Sequence, residues 1–220
     1  MNMTQDIKHH LTDALLMAYS AGNLPEAFSL IVASHVSMCD ECRARLGAFD
    51  TIGGNLMESC DSVAMSADSF EATLARIESG PDAASQPCAR DARSFVLPAP
   101  VRDYVGGDLD AVKWRPVGMG VKQAILPTAA DGSARLLYIP AGSAVPDHGH
   151  RGTELTLVLQ GAFSDQVDHF AAGDVEIADE DLDHTPVAEP GQDCICLAAT
   201  DAPLRFRSLL PRMAQPFLRI

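Results

Sequence analysis

The sequence predicts a multidomain chain of mixed α and β class: an all-helical N-terminal domain over residues 1–80, a linker at 81–100, and an all-β domain over 101–220. Three observations predict it. Apolar residues recur every three to four positions through the first 80 residues. A Pro- and Ala-rich stretch with little apolar periodicity follows, and short β-type runs separated by Gly, Pro and Asp fill the remainder. A chain of 220 residues is long enough to bury two modest cores without help from disulfides.

Each element has its own warrant. From His10 to Ala21, Leu11, Leu15, Ala18 and Tyr19 line one helical face, and Gly22 supplies a stop. Pro25 stands where a first helical position is expected, with Glu26 beside it; Phe28, Ile31, Val32, Val36 and Leu46 continue the stripe, with a break near the cysteines. Gly53 and Gly54 interrupt the pattern. Ser66 or Asp68 is placed to cap a last helix bearing Phe70, Leu74 and Ile77; core packing is the default for the apolar residues near Phe70 and Leu74, and contact with a partner the alternative. Residues 79–100, SGPDAASQPCARDARSFVLPAP, read as linker. Beyond them Arg135–Ile139, Glu154–Leu159, Val175–Ala178, Cys194–Ala199 and Leu204–Leu209 are strand candidates, and many short strands with regular turns indicate a sandwich or barrel.

Formal net charge is -14, and residues 1–80 carry half of it, with 4 basic and 11 acidic side chains. Such a field repels a nucleic-acid backbone and attracts a basic protein surface, although acidic balance also serves solubility. Direct nucleic-acid binding is not expected. No apolar run reaches the ~18 residues a spanning helix needs, and His9, His10 and Asp13 stand where a signal peptide would carry basic residues. The expected location is the cytoplasm, away from membranes. Six cysteines, unevenly spaced, do not form a secreted disulfide framework. Cys60 and Cys88 stand alone and read as inert thiols.

The segment His35-Val-Ser-Met-Cys39-Asp-Glu-Cys42 has the spacing HxxxCxxC. Steps of four and three put the three side chains on one helical face, or gather them round a turn. Two thiolates and an imidazole leave tetrahedral zinc one ligand short, and His9 or His10, at the near end of the preceding helix, can supply it. A site closed by two Cys and two His has no position for substrate and serves to staple a small helical domain. A redox-active CxxC is the alternative, but it would need a βαβ setting that is absent. HxxxCxxC after a histidine-bearing helix resembles the zinc anti-sigma domains that bind extracytoplasmic-function sigma factors. The resemblance implies that the helical domain wedges between the two sigma domains and blocks their access to RNA polymerase.

A second constellation lies in Gly142-SAVPD-His148-Gly-His150-RGT-Glu154-LTLVLQ-Gly161. It reproduces, at every fixed position, the first motif of the cupins, Gly-x5-His-x-His-x3-Glu-x6-Gly, and so implies a jelly-roll β-barrel. Strand alternation points His148 and His150 to the same side, and Glu154 on the next strand can reach across to them. Gly173-DVEIA-Asp179-Glu-Asp181-Leu-Asp-His184 has the spacing of the second motif, with Asp179, Asp181 and Ala188 replacing its Pro, Gly and Asn; His184 keeps the metal-binding position. Three imidazoles and a carboxylate leave open positions on zinc, iron or manganese. The run Asp179, Glu180, Asp181, Asp183 reads as a solvated loop, and His169 as a surface histidine.

Helical HxxxCxxC module, linker and cupin in this order resemble the ChrR-type zinc anti-sigma factors over essentially the whole chain. His9-His10-Leu-Thr-Asp-Ala-Leu-Leu, Val145-Pro-Asp-His-Gly-His-Arg and Asp193-Cys-Ile-Cys-Leu-Ala-Ala-Thr-Asp-Ala-Pro-Leu-Arg-Phe carry the resemblance further. It implies zinc held by His10, His35, Cys39 and Cys42, with the second histidine of the pair as ligand, and a further zinc held by His148, His150, Glu154 and His184. It also implies a one-to-one complex with an extracytoplasmic-function sigma factor of the sigma-E type, released on a stress signal, singlet oxygen, sensed through the cupin. A metal-dependent cupin enzyme, a dioxygenase or lyase, is the competing expectation; it leaves the helical module without a role. Cys194 and Cys196 share a strand face with α carbons about 6.6 Å apart. Packing of the barrel is their default, and a strained, reducible bridge the alternative.

Overall fold

The computed structural model describes residues 6–80 and 95–206. Cys88 and most of the linker lie outside these residues, as does the end of the Leu204–Leu209 strand. Two compact units emerge, one made of Met1–Gly53 with Phe95–Ile220, the other of Gly54–Ser94.

The helices are α1 (Asp13–Ser20), α2 (Glu26–Met38), α3 (Asp40–Glu58), α4 (Ser69–Glu78) and α5 (Ala99–Val105). Thr12 caps α1 by accepting the Leu15 N–H at 3.3 Å, and Gly22, at φ +69°, turns the chain after it. Pro25 is the cap of α2 rather than its first helical residue. Cys39 is extended (φ -112°, ψ 111°), so the chain breaks between the two cysteines' positions and α3 restarts at Asp40. Contrary to the glycine expectation, α3 runs through Gly53 and Gly54. A helical glycine costs about 1 kcal/mol against alanine, and the flanking Leu46, Ala48, Leu56 and Met57 supply good helix formers on both sides. Asp68 occupies the cap position of α4 without a side-chain bond to the helix, while Ser66 Oγ meets Ser69 Oγ at 2.6 Å. Phe70 and Ile77, where core packing is the default, are exposed (68% and 69%), and Leu74 is exposed as well. Helix α5 is unforeseen, since Pro98 and Pro100 read as linker; they occupy its cap and first turn, where the missing N–H costs nothing.

The β part holds three sheets. The largest has β1 (Arg115–Gly118), β2 (Val121–Ile125), β3 (Ser133–Ile139), β5 (Glu154–Gln160), β8 (Val175–Ala178) and β11 (Cys194–Thr200) in the order β1-β2-β3-β11-β5-β8, all antiparallel. A second pairs β10 (Val187–Ala188), β6 (Ala162–Ser164) and β7 (His169–Ala171); a third pairs β12 (Arg205–Phe206), β4 (His148–Gly149) and β9 (Asp183–His184). Alternation splits the large sheet between two cores. Leu136, Leu155, Leu157 and Leu197 face outward onto α2, with Phe28, Ile31 and Val32, and onto Leu97 and Val101 around α5. Val121, Ile139, Val158, Cys194 and Cys196 face the barrel interior with Phe163 and Phe170. Strand β11 is therefore buried along its whole length, which is why CICLAAT is a continuous run of small and apolar residues. Each fully buried leucine contributes roughly 1.5–3 kcal/mol.

Candidate metal centres

At the front centre the α2–α3 break brings Cys39 and Cys42 beside His35 on α2, and the segment entering α1 lays His10 across them; one ligand atom of each lies within 4.8 Å of the others. His10 Nδ1 is 3.4 Å from Cys39 Sγ and 3.6 Å from Cys42 Sγ. A tetrahedron with metal–sulfur ~2.3 Å and metal–nitrogen ~2.05 Å has an N···S edge of about 3.6 Å. His35 donates its Nδ1–H to the Gly173 carbonyl at 2.9 Å, which leaves Nε2 a bare lone pair, buried and without a protein partner among the described residues. Burial lowers the His35 pKa to about 4 against the opposing Gly173 bond, so the ring is neutral. The far nitrogen of His10 lies 3.5 Å from Glu41. Both cysteines are buried. Burial pushes the Cys42 thiol up to about 11, while the Cys42 N–H and Arg45 donate toward the sulfurs. His9, one residue from His10, is directed elsewhere, onto Asp168 at 3.0 Å and the ring of Phe170.

The barrel centre is built from three imidazoles. His148 on β4 and His184 on β9 are directly paired across the ladder, and His150 follows one residue after β4. His184 Nε2 is 3.2 Å from His148 Nε2 and 3.3 Å from His150 Nε2, against the ~3.3 Å N···N edge of a tetrahedral site. His148 donates its Nδ1–H to the Pro146 carbonyl at 2.8 Å. His184 presents Nδ1 to Asp165 at 2.9 Å and to Glu176 at 3.0 Å. Their Nε2 atoms are thus turned on one another, an arrangement that a cation can bridge once His184 gives up its proton. Burial lowers His148 and His150 to about 4. His184 would follow by burial, but the Glu176 and Asp165 carboxylates reverse this and raise it to about 9.

Glu154 is buried in the same interior, yet its carboxyl is not in the tight histidine group. It accepts from Thr156 Oγ1 at 3.4 Å; burial raises it to about 7, opposed by the nearby Arg135 guanidinium. His148 and His184 open onto an interior cavity of about 440 Å³ walled by Val121, Leu137 and Phe163, with Arg135, Glu154 and Glu176 among its polar residues. Cys194 and Cys196 pack into this interior as free thiols with sulfurs 3.5 Å apart. Asp165 and Glu176, the partners of His184, escaped sequence reasoning because Asp165 lies outside the motifs and Glu176 falls on a variable position of the second. The one available sign was Glu176, an acidic residue on a strand otherwise apolar on that side.

Comparison with known proteins places this geometry. Residues 103–203 match the family described as ChrR Cupin-like domain. The anti-sigma-E factor ChrR of Cereibacter sphaeroides is 60% identical over 214 residues, covering 97% of this chain and 99% of that protein. The chain belongs to the ChrR family of anti-sigma factors. The crystal structure of Rhodobacter sphaeroides SigE in complex with the anti-sigma ChrR superposes with a TM-score of 0.78 at 59% identity, covering 89% of this chain and 100% of that one. Among the described residues no helix is long and apolar enough to cross a membrane.

Proposed function

We propose that this chain sequesters an extracytoplasmic-function sigma factor of the sigma-E type in a one-to-one complex and releases it on a stress signal, singlet oxygen, received by the barrel. In this reading residues 1–80 dock the partner, 81–100 join, and 101–220 sense. The protein is a regulator and not an enzyme. The observation that carries the reading is the exposure of large apolar side chains within one compact unit: Leu56, Met57, Val63, Met65, Phe70 and Ile77 all face water. Water-facing side chains of this kind, so close together in sequence, mark a surface made for a protein partner, and the acidic balance of residues 1–80 suits a basic one. The 60% identity to an anti-sigma-E factor supports the partner class.

His10, His35, Cys39 and Cys42 would hold zinc in the front centre, where four donors close the site and make it a staple for three chain segments. His148, His150 and His184, with Glu154 as the fourth donor, would hold zinc, iron or manganese in the barrel, with the cavity giving small molecules access. There a metal supplies a Lewis-acidic position. The chain's own part is to aim the imidazoles, through Pro146, Asp165 and Glu176, and to exclude bulk water with Val121, Leu137 and Phe163. Transcription in vitro from a sigma-E-type promoter tests the reading. Addition of the purified full-length protein at equimolar ratio to the sigma factor should silence it, and exposure to singlet oxygen should restore it. Undiminished transcription would remove the sequestration, and silence that singlet oxygen leaves intact would remove the signal.

A further inference from the structure

The barrel reaches into the front centre at its β7–β8 turn. The Gly173 carbonyl accepts the His35 Nδ1–H at 2.9 Å. One oxygen of the Asp174 carboxylate accepts the backbone N–H of Lys8 at 2.7 Å and of His9 at 2.9 Å, and the other accepts that of Ala171 at 2.9 Å. The Val175 N–H in turn donates to the His9 carbonyl at 3.1 Å. The residue preceding His10 is therefore gripped through both its backbone groups. Asp174 is only 2% exposed, and a carboxylate so buried persists because three N–H donors replace its water. Gly173 sits at φ +99°, and a Cβ there would lie 2.6 Å from the side chain of Ile7. Glycine alone lets the turn come this close while offering its carbonyl to His35.

We propose that the Gly173–Asp174 turn is the outer shell of the front metal centre: it orients the ring of His35 and places His10, so the barrel sets how tightly the helical segment holds its metal. The inference rests on the reading that His10, His35, Cys39 and Cys42 bind a metal. Gly173 and Asp174 act through those ligands, as positioning residues. An imidazole ligand whose second nitrogen is held by a fixed acceptor is locked in one tautomer and one ring orientation, and loss of such a partner weakens metal binding by about 10–100-fold. Here that acceptor is supplied by a residue 138 positions away in sequence.

Titration of the reduced, full-length protein with Co²⁺ tests this, because thiolate-to-cobalt charge-transfer absorption reports the centre with Cys39 and Cys42 and not the histidine group of the barrel. Asp174→Ala and Gly173→Ala should each shift half-saturation of that band to about tenfold higher free Co²⁺ or more, and the exposed Asp181→Ala should leave it in place. Asp174→Asn keeps the shape, loses the charge, and should fall between. A second readout is the nitrogen NMR signature of the His35 ring, which should show the Nδ1–H tautomer in the parent and a mixture of tautomers in Gly173→Ala. A parent protein with no thiolate band overturns the metal reading and the inference together. A normal band with half-saturation within twofold of the parent in Asp174→Ala and Asp174→Asn, and an unchanged His35 signature in Gly173→Ala, overturns the inference alone.

Discussion

The two centres of this chain aim their ligands in the same way and differ in what surrounds them. In both, imidazole N–H groups are tied off by fixed acceptors, Gly173 for His35, Pro146 for His148, Asp165 and Glu176 for His184, so that the opposite nitrogens are aimed at one point. The front centre adds two sulfurs, which complete a four-donor set at a break between helices. The barrel centre groups three nitrogens, with the Glu154 carboxyl standing apart from them, beside a cavity of about 440 Å³. A complete donor set fits a staple; an incomplete one beside a cavity fits a detector.

The largest expected effect that sharpens this contrast comes from Cys39→Ser. Removing a thiolate from a closed set should lower front-centre affinity by more than about 100-fold, beyond what loss of an outer partner does. Metal analysis should then show the front metal gone and the barrel metal kept. His184→Ala should do the reverse, with a loss of similar size at the barrel; if either variant empties both centres, they are one cooperative unit and the contrast fails. Glu176→Gln, which leaves the ligand but weakens its anchor, should cost about tenfold at the barrel, read by competition with a chelator.

A pH series separates the two by protons. Metal uptake at the front must expel the Cys42 proton, held up to about 11 by burial. At the barrel His184, raised to about 9, and Glu154, raised to about 7, have protons to give, while His148 and His150 lie at about 4. Both affinities should fall as pH falls, by about tenfold per pH unit for each proton expelled, and the barrel slope should steepen below about pH 7, where Glu154 takes up its proton. A barrel slope unchanged through pH 7 would contradict Glu154 as a donor. The smallest effect is expected on stability from Phe70→Ser: an exposed residue should change unfolding free energy by less than about 0.5 kcal/mol, while binding to the sigma factor weakens by more than about 1 kcal/mol if Phe70 is an anchor.

What could be read from the sequence was local in the chain. HxxxCxxC and the His-x-His pair each lie within about two turns of helix or one strand, so spacing alone grouped their residues, while Glu154 stands apart from the histidines; short β-type runs located β3, β5, β8 and β11 of the large sheet but not β1 and β2. Distant partners left no such trace. Asp165 lies 19 residues before His184 and Gly173 lies 138 after His35, and only closure of the barrel and the docking of the N-terminal segment bring them together. Single-residue breaker rules also misled. Gly53 and Gly54 did not stop α3, because a 19-residue helix absorbs about 1 kcal/mol apiece. Pro98 and Pro100 did not prevent α5, because they fall where prolines are tolerated. The exposure of Phe70, Leu74 and Ile77 was invisible to periodicity, which marks an apolar face without saying what covers it.

The outward row of Leu136, Leu155, Leu157 and Leu197 carries a practical consequence. Because α2 lies over these side chains, a fragment cut to contain the strands alone would leave a greasy wall in water. Such a piece should clump or pair with its own kind during purification, and a soluble fragment would have to keep the chain through α2 or carry polar replacements along that row.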